Sequence, residues 1–448
     1  MKIYDKSVSR IEEYGRTIKF SSLVFPKLFE IIILYVLNTV NTFMLSGYPG
    51  QAVAAVSLSA QILNLATTLI NMIITGSMII TSIEFGKKDM QTAGRICGTS
   101  LMTVSVLSVI VGCIISIFSK QLLIFLNAEP EVLILGTGYL QLMGIFLIFT
   151  MLMSIFNNFL ICNGYSSCVF ISGIVCNVLN IVLGYIVLYS GLKLPIHPVT
   201  ALAVASAVAR CLGLAISIIF FKAKKCPLII TLIPRIMKKI FKFGIPAGMN
   251  GFSYTLAQTI TTGFIAAQGL TTLNTKIYVS SIIIYSYCVS GAMGSANSIL
   301  TGRYKGRQDY DSMVRMNNQN IRIAVFFNFL ISSLLYIFHK PLIGLFTSDP
   351  EIISLAGKIM LLDIIVECSR AVNNVLDQSL NANGDVKTVL TFSVCACWLF
   401  SVLLSYIFAI NLNMGLIGIW IAFIADETFK AVSYLIRWKR GKWKNIII

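Results

Sequence analysis

The chain has 448 residues, of which 56% are hydrophobic and only 12% are charged, and its mean hydropathy is +0.83. Soluble globular domains carry about 25% charged residues, so this composition excludes an ordinary soluble protein and indicates a polytopic membrane protein. The net charge of +17 does not indicate nucleic-acid binding, because the basic residues cluster beside the ends of apolar runs, where they orient membrane spans. We therefore expect a lipid bilayer as the partner and no nucleic acid.

Twelve apolar runs long enough to cross a bilayer follow one another along the chain, which predicts an all-α fold with twelve transmembrane helices. The first run is too long for the apolar region of a signal peptide, so we predict a retained span. Basic residues concentrate in alternate connections, which places both termini in the cytoplasm. The predicted spans are 22–45, 53–80, 95–118, 136–159, 168–190, 199–221, 243–266, 275–298, 321–338, 356–380, 386–409 and 414–436.

The two halves of the chain repeat one another. The segment FLNAEPEVLILGTGYL, which starts at Phe125, resembles LFTSDPEIISLAGKIM, which starts at Leu345, and the offset from 125 to 345 is 220 residues. The same offset relates Pro26 to Pro246. We therefore predict two pseudo-symmetric six-helix bundles, related by an axis along the membrane normal, with a cavity between them. The predicted boundaries are an N-terminal bundle at 1–221, a cytoplasmic linker at 222–242 and a C-terminal bundle at 243–448.

The tenth predicted span contains three acids and an arginine, within the segment LLDIIVECSRAVNNVLDQSLNANGD. Their spacing of three and four residues places them on one stripe of a helix. An ionised group at the centre of a bilayer costs about 3 kcal/mol, so this stripe is expected to face protein or water rather than lipid. The candidate cation-coupling residues are Asp363, Glu367, Arg370, Asn374 and Asp377.

Two interpretations of this stripe are open. In the first, Asp363 and Glu367 lie one turn apart and bind and release a proton or a sodium ion, since a low dielectric favours the uncharged form of each acid. In the second, Glu367 and Arg370 form a buried ion pair that only holds helices together, and Asp377 lies close to the cytoplasmic interface.

Polar side chains also recur at helical spacing in four other predicted spans. A buried amide often serves only as a hydrogen bond between helices, at about 0.6 kcal/mol each, but as a set these residues indicate a hydrated face. The N-terminal set comprises Glu30, Asn38 and Asn41 in the first span, Gln61 and Asn64 in the second, and Asn177 and Asn180 in the fifth. The C-terminal set comprises Asn250, Tyr254 and Gln258 in the seventh span.

Pro26 and Pro246 occupy equivalent places near the cytoplasmic starts of the first and seventh spans. A proline inside a helix removes a hydrogen bond and favours a bend, so both are candidate hinges. Proline near a helix start is also common and without consequence, which is the alternative interpretation.

Signals for catalysis and metal binding are absent from the sequence. The two histidines, His197 and His339, lie in predicted outer loops, and no nucleophile and base set, phosphate-binding loop or metal-ligand spacing is found. The eleven cysteines lie mostly within apolar runs, as small core residues. We expect no enzyme activity and no cofactor, so any active transport would draw on an ion gradient.

Several longer segments resemble the multidrug and toxic compound extrusion (MATE) transporters, in particular their DinF-like branch. The segments are NTVNTFMLSGYPGQAVAAVSLS downstream of Pro26, NVLNIVLGYIVL in the fifth span, FGIPAGMN, SLNANGDVKT and WIAFIADETFKAVSYLIRWKRGKWK. The resemblance implies two bundles of six helices, an outward-opening V-shaped cavity, and export of organic, often cationic or amphipathic compounds in exchange for H+ or Na+.

The resemblance also bears on the coupling residues. Proton-coupled members of the family usually have aspartates at the positions of Asn41 and Gly184, and only Asn180 matches that cluster. Sodium-coupled relatives place carboxylates in the seventh, eighth and tenth spans, and here only the tenth provides them, through Asp363 or Glu367. The resemblance thus concentrates the coupling prediction, including any Na+ site, on those two acids.

From these features we predict a secondary-active multidrug exporter, a cation antiporter that works by alternating access in the cell membrane. One alternative is a lipid-linked oligosaccharide flippase of the same superfamily, which would need a cavity rich in basic side chains. Another is a membrane receptor or scaffold that does not transport. The substrates would be small organic molecules, and we expect a monomer because the two-bundle plan needs no partner.

Overall fold

The computed structural model describes residues 9–13, 16–46, 50–126, 128–189 and 197–446, with the side chains at 12–17, 37–51 and 53 left undescribed. Almost all of this chain is helical. The helices are α1 (Phe20–Ser46), α2 (Gly50–Gly86), α3 (Met90–Ile117), α4 (Ser119–Phe125), α5 (Pro130–Ile145), α6 (Leu147–Cys162), α7 (Ser166–Tyr189), α8 (Pro198–Ala223), α9 (Pro234–Ala266), α10 (Leu270–Arg307), α11 (Tyr310–Ile337), α12 (His339–Gly344), α13 (Pro350–Ala382), α14 (Val386–Ala396) and α15 (Gly415–Lys439).

The helices account for the twelve predicted spans. Seven helical segments are long and apolar enough to cross a membrane by themselves, and the consecutive pair α5 and α6 qualifies as one bent span. The other four long helices, α1, α9, α13 and α15, contain 25 to 33 residues. At 1.5 Å per residue each exceeds the roughly 30 Å of the hydrocarbon core. The predicted all-α class is therefore confirmed.

Several local features differ from the predicted spans. The fourth span is broken at Phe146, where α5 and α6 meet at 44°. The eleventh span continues from α14 as π-helix over Cys397–Leu404 and Ile407–Asn411. Most spans also extend past their predicted ends, because helices do not stop where the apolar run stops. Before α1, strands β1 (Arg10–Glu13) and β2 (Arg16–Lys19) pair antiparallel, with Arg10 opposite Lys19.

The predicted repeat is visible in the backbone. The side chain of Asp89 caps α3 by accepting a hydrogen bond from the amide of Thr92 (2.9 Å), and Asp309 caps α11 in the same way from Ser312 (3.1 Å). Left-handed backbone recurs at the same offset, at Lys88 (φ 62°) and Gln308 (φ 59°), and at Gly164 (φ 85°) and Gly384 (φ 81°). Corresponding positions of the two halves therefore share their caps and turns.

Contacts divide the chain into two compact units. One comprises Phe29–Ile245, here called the N-unit, and the other comprises Pro246–Ile448 with the described part of Met1–Leu28, here called the C-unit. The divisions fall beside Pro26 in α1 and at Pro246 in α9, and both prolines lie inside helices that the structure shows as continuous.

The predicted linker at 222–242 is only partly a connection, since α9 already begins at Pro234. The extended stretch before it packs within the N-unit against α3. The amide of Ile229 donates to the carbonyl of Gly94 (3.0 Å), and the Thr99 hydroxyl donates to the carbonyl of Thr231 (2.9 Å). A Cβ on Gly98 would lie 1.9 Å from the carbonyl oxygen of Ile229, so glycine permits this close approach.

The chain after α15 folds back on the C-unit. Gly441 has a left-handed backbone (φ 65°) and leads into a 3-10 turn at Lys442–Asn445. The indole of Trp443 is fully buried and stacks on Trp438, with 4.3 Å between ring centroids. The ammonium group of Lys305, near the end of α10, donates to the carbonyls of Trp443 (3.2 Å) and Lys444 (3.0 Å).

Candidate functional site: a charged cluster in the C-terminal unit

Helix α13 is the central helix of the C-unit and packs against α10, α11 and α15. It begins at Pro350, after Asp349 has capped it by accepting from the amide of Glu351 (2.9 Å). Its approach to α10 is close, because a Cβ on Gly294 would lie 2.6 Å from the carbonyl oxygen of Asn374. The charged residues of α13 are thereby held against three neighbouring helices.

The two acids predicted as coupling residues are both buried inside the C-unit. Asp363 is 2% exposed, and its Oδ1 accepts a hydrogen bond from the indole of Trp420 in α15 (3.1 Å). Its Oδ2 has no hydrogen-bond partner among the described residues. Glu367 is fully buried and accepts from the side-chain amide of Asn328 in α11 (3.3 Å). The two acids share a face of α13 but use different neighbouring helices.

Arg370 joins α13 to α15. Its guanidinium forms an ion pair with Glu367 one turn earlier and a second with Glu427 of α15, at 3.4 Å between Nε and Oε1. The predicted ion pair between Glu367 and Arg370 is therefore present, as the purely structural interpretation also requires. A pair of this kind removes the cost of two isolated buried charges, and each partner depends on the other.

Helix α15 contributes three charged residues that were not predicted as site residues. The ammonium group of Lys430 lies 3.1 Å from Asp426 and 3.2 Å from Glu427. Glu427 also accepts from the side chain of Asn373 (2.6 Å), and Asp426 accepts from the hydroxyl of Ser401 (2.8 Å). The signal in the sequence was the segment ADETFK, in which three charges interrupt an apolar span at helical spacing.

These contacts define one group, here called the C-unit charge cluster. Its members lie on α13 and α15, which correspond to two of the predicted membrane spans. The cluster comprises the ion-paired residues Glu367, Arg370, Asp426, Glu427 and Lys430, together with Asp363 and Asp377, which interact electrostatically with Arg370 and Lys430 respectively.

The inner part of the predicted stripe turns towards α9 and α10. Asp377 is half-buried and accepts from Asn381 (2.6 Å) and from Asn250 of α9 (3.5 Å). Asn374 donates to the hydroxyl of Ser290 in α10 (2.8 Å). The residues of the predicted stripe thus form hydrogen bonds to several neighbouring helices.

The other predicted polar residues of the C-terminal set lie on α9. The ring of Tyr254 lies beneath the ammonium group of Lys430, 5.7 Å from nitrogen to ring centroid, which is within the range of a cation–π contact. Gln258 is half-buried in α9, and its main-chain carbonyl accepts from Thr262. Asn250 and Tyr254 therefore border the C-unit charge cluster.

The N-unit contains the remaining predicted polar residues. Gln61 and Asn64 are exposed on α2, Glu30 is half-buried on α1, and the side chains of Asn38 and Asn41 lie outside the described part of that helix. Asn177 is half-buried on α7, and Asn180 donates to the hydroxyl of Ser206 in α8 (3.1 Å). For Asn180 the structure shows a bond between helices.

Buried amides and a hydroxyl clamp α10, α11 and α13 beside the charge cluster. Asn297 donates to Asn317 (2.6 Å) and to the hydroxyl of Ser379 (2.5 Å), and Asn320 donates back to Asn297 (2.7 Å). All four side chains are buried. This clamp holds α10 and α11 against α13, since Asn297 of α10 bonds to residues of both other helices.

A transition-metal centre is not indicated. Across the residues that the structure describes, no three His, Cys, Asp or Glu side chains converge in a metal-binding arrangement. Carboxylate oxygens, which the charge cluster contains, are ligands that hard cations accept.

Comparisons with known proteins agree with this architecture. The profile of the MatE family matches residues 26–186 and again 246–407, so the two matches begin at the two equivalent prolines. The chain is 30% identical over 444 residues to the uncharacterized transporter YisQ of Bacillus subtilis, covering 98% of this chain and 97% of that one. It is 21% identical over 427 residues to the probable multidrug resistance protein NorM of Thermotoga maritima, covering 94% and 92%.

Solved structures share the fold. The Vibrio cholerae MATE transporter VcmN in its bent form superposes with a TM-score of 0.87 at 16% identity, covering 94% of this chain and 96% of that one. A MOP superfamily transporter from Pyrococcus furiosus gives a TM-score of 0.84 at 19% identity, covering 95% and 96%. At these identities the likeness concerns the fold alone. The two family-profile matches, together with the full-length relatives, show that the chain belongs to the MATE family of transporters.

Proposed function

We propose that the protein is a cation-coupled exporter that moves organic, often cationic or amphipathic compounds out of the cell in exchange for H+ or Na+. The observation that carries this proposal is the carboxyl group of Asp363. It is buried in a membrane helix, and one of its oxygens has no hydrogen-bond partner among the described residues. A buried carboxylate oxygen without a donor is costly, and a bound proton or cation removes that cost.

In the proposed mechanism, cation binding at Asp363 and Glu367 changes the charge inside the C-unit. A ligand shifts a conformational equilibrium only by its different affinity for the two states. Export follows if the cation stabilises one access state and the drug stabilises the other, so that each promotes release of its competitor. Pro26 and Pro246 are the proposed hinges, since the divisions between the two compact units fall beside them.

The charge of the cluster favours cationic substrates over anionic headgroups. Its acids outnumber its bases, whereas a flippase for lipid-linked oligosaccharides would need basic side chains to bind phosphate. The exposed amides of α2, Gln61 and Asn64, together with Asn177, would provide a hydrated face in the N-unit. This arrangement supports the exporter over the flippase.

The cellular setting follows from the same features. The helices and the bacterial relatives support a multi-pass protein of the cell membrane. We propose that both termini lie in the cytoplasm and that the monomer is the working unit, because the family plan places both bundles in one chain.

The test is gradient-driven transport into everted membrane vesicles. Asp363→Asn keeps an oxygen that can accept from Trp420, and Glu367→Gln keeps one for Arg370, so both variants should reach the membrane at normal abundance. We expect each to lose most of the substrate uptake that a proton or sodium gradient drives. Glu351→Gln is the matched control, because Glu351 is an exposed acid at the start of the same helix.

The outcomes separate the rival functions. Full transport by both variants would remove the coupling assignment from Asp363 and Glu367. Dye efflux from cells that is unchanged by a protonophore and by sodium would contradict antiport altogether. No efflux of any dye by abundant wild-type protein would favour the receptor or scaffold, and movement of a lipid-linked sugar would favour the flippase.

A further inference from the structure

The C-unit charge cluster carries an excess of acids. Among the residues that the structure describes, five carboxyl groups lie within contact or electrostatic reach of two basic groups. The carboxyl groups are those of Asp363, Glu367, Asp377, Asp426 and Glu427, and the basic groups are those of Arg370 and Lys430. A fully ionised cluster would hold unbalanced negative charge in a low-dielectric interior, which is strongly unfavourable. Bound protons or cations must supply the balance.

The five acids are not equally satisfied. Glu427 contacts Arg370 and Lys430 through one carboxylate oxygen and the side chain of Asn373 through the other, so each of its two oxygens has a donor. Asp426 differs, because both of its partners, Ser401 and Lys430, bind the same oxygen, Oδ2. The other oxygen, Oδ1, is buried and has no hydrogen-bond partner among the described residues. In this respect Asp426 resembles Asp363, although it lies on another helix.

The surroundings of Asp426 are suited to a carboxyl group that changes its charge. Ser401 belongs to the π-helical part of the eleventh span, and π-helical turns are frequent at functional sites. Among the described residues, the titratable groups that face Asp426 are Lys430 and Glu427 of its own helix, Tyr254 of α9 and Cys397 of the π-helix. Lys430 is the only cation among them.

Lys430 allows Asp426 to become neutral without leaving a charge unpaired. Its ammonium group lies almost equally far from Asp426 (3.1 Å) and from Glu427 (3.2 Å). When Asp426 takes up a cation, the ammonium group can remain with Glu427. When Asp426 is ionised, the ammonium group is shared between both carboxylates. In neither state is the ammonium group of Lys430 buried without an acidic partner. An isolated buried charge of that kind would cost several kcal/mol.

We propose that Asp426 is a second coupling carboxyl, which binds a second monovalent cation of the same kind, H+ or Na+, as the one bound at Asp363 and Glu367. This inference rests on the proposed antiport. In each cycle the Oδ1 oxygen accepts the cation from the side of high cation concentration and releases it to the other side. Each exported molecule is therefore exchanged for two cations. A purely structural pair of Asp426 and Lys430 would influence abundance and rate, but not this ratio.

The experiment measures accumulation at steady state rather than rate. Purified protein is reconstituted into liposomes with the membrane potential held at zero by valinomycin and equal potassium on both sides. A gradient of one pH unit, or in a separate arm a tenfold sodium gradient, drives ethidium against its own gradient. One such gradient corresponds to about tenfold accumulation for each coupled cation. We expect about 100-fold accumulation by the wild type in the arm that uses the coupling ion.

Asp426→Asn should lower the accumulation ratio about tenfold while leaving the remaining coupling intact. The asparagine keeps an oxygen for Ser401, and Lys430 keeps Glu427, so the variant is expected to fold. Asp385→Asn is the control. Asp385 lies in the same unit, directly before α14, but it pairs with Arg437 (2.6 Å) and is not a member of the charge cluster. Its accumulation ratio should equal that of the wild type.

Each result decides one claim. If the wild type does not respond to either gradient, the proposed antiport is wrong. If the wild type responds but Asp426→Asn accumulates the dye equally well, only the second carboxyl is wrong. Should the variant fail to reach the membrane, the wild type alone decides, because accumulation of only about tenfold would show a single coupled cation and overturn the inference.

Discussion

Replacing Arg370 with methionine tests whether the charge cluster holds the C-unit together. Arg370→Met removes the guanidinium from between Glu367 and Glu427 but keeps most of the apolar volume. Glu427 retains Lys430 and Asn373, whereas Glu367 loses its basic partner and keeps only the neutral side chains of Asn328 on α11 and Ser286 on α10 among the described residues. Removing one partner of a buried ion pair costs about 3–5 kcal/mol, and here Glu367 should account for most of that loss.

The effect should be visible in thermal unfolding of the purified protein in detergent, followed by tryptophan fluorescence. For a unit of this size 1 kcal/mol shifts the Tm by about 2–4 °C, so a loss of 3 kcal/mol lowers it by roughly 6–12 °C. The double variant Arg370→Met with Glu367→Gln should recover much of the loss, because residue 367 is then no longer a buried acid that has lost its basic partner. Lys358→Met is the control, since Lys358 is exposed on the same helix and should cost less than about 0.5 kcal/mol.

The reasoning would be refuted by a single variant that melts within two degrees or so of the wild type. It would also be refuted if the double variant were less stable than the single one, because Glu367 would then be stabilising without Arg370. Either result would mean that the cluster is solvated, and that the buried-charge argument does not apply to it.

Three further predictions concern the packing and capping of single residues. Gly98→Ala should destabilise the N-unit by about 1–3 kcal/mol, measured as a lower Tm, because the added methyl group meets the carbonyl of Ile229. Asp89→Ala should cost about 1 kcal/mol through loss of the α3 cap. The hydrogen bonds from the side chain and amide of Thr92 hold the pKa of Asp89 below its usual value. The cap is therefore complete above the ordinary carboxyl pKa and is lost as pH falls through the lowered pKa. Because Asp89→Ala has no such cap to lose, its Tm should fall less steeply than that of the wild type as the solution is acidified. Trp443→Ala should lower the Tm in line with a loss of about 3–5 kcal/mol, and an unchanged Tm would show that the C-terminal turn is not part of the folded unit.

The number and order of the membrane spans could be predicted from the sequence because a bilayer imposes a length on each apolar run. The repeat could be predicted for a related reason: equivalent turns need equivalent residues, such as the aspartates that cap α3 and α11. The break at Phe146 was not predicted, although Gly144 stands two residues before it and lies so close to α3 that a Cβ on Gly112 would be 2.4 Å from the carbonyl oxygen of Gly144.

The site was predicted only in part, for a physical reason. Helical spacing shows which residues of one helix share a face, so Asp363 and Glu367 were identified and are both buried. Spacing does not show which other helix lies opposite that face. The partner residues Glu427 and Lys430 are on the last helix, and their pairing with Arg370 depends on how α13 and α15 pack. The charges of α15 were present in the sequence but were interpreted only as a family segment.

The C-terminal turn limits how the protein can be engineered. Because Trp443 is buried and Lys305 donates to the carbonyls of Trp443 and Lys444, the described turn after α15 is part of the fold. Shortened versions that stop after the last span would expose the Trp438 ring and leave the Lys305 ammonium group without acceptors. Reporter fusions and affinity tags are therefore better joined through a flexible spacer placed beyond the turn at Lys442–Asn445 than spliced directly to the end of α15.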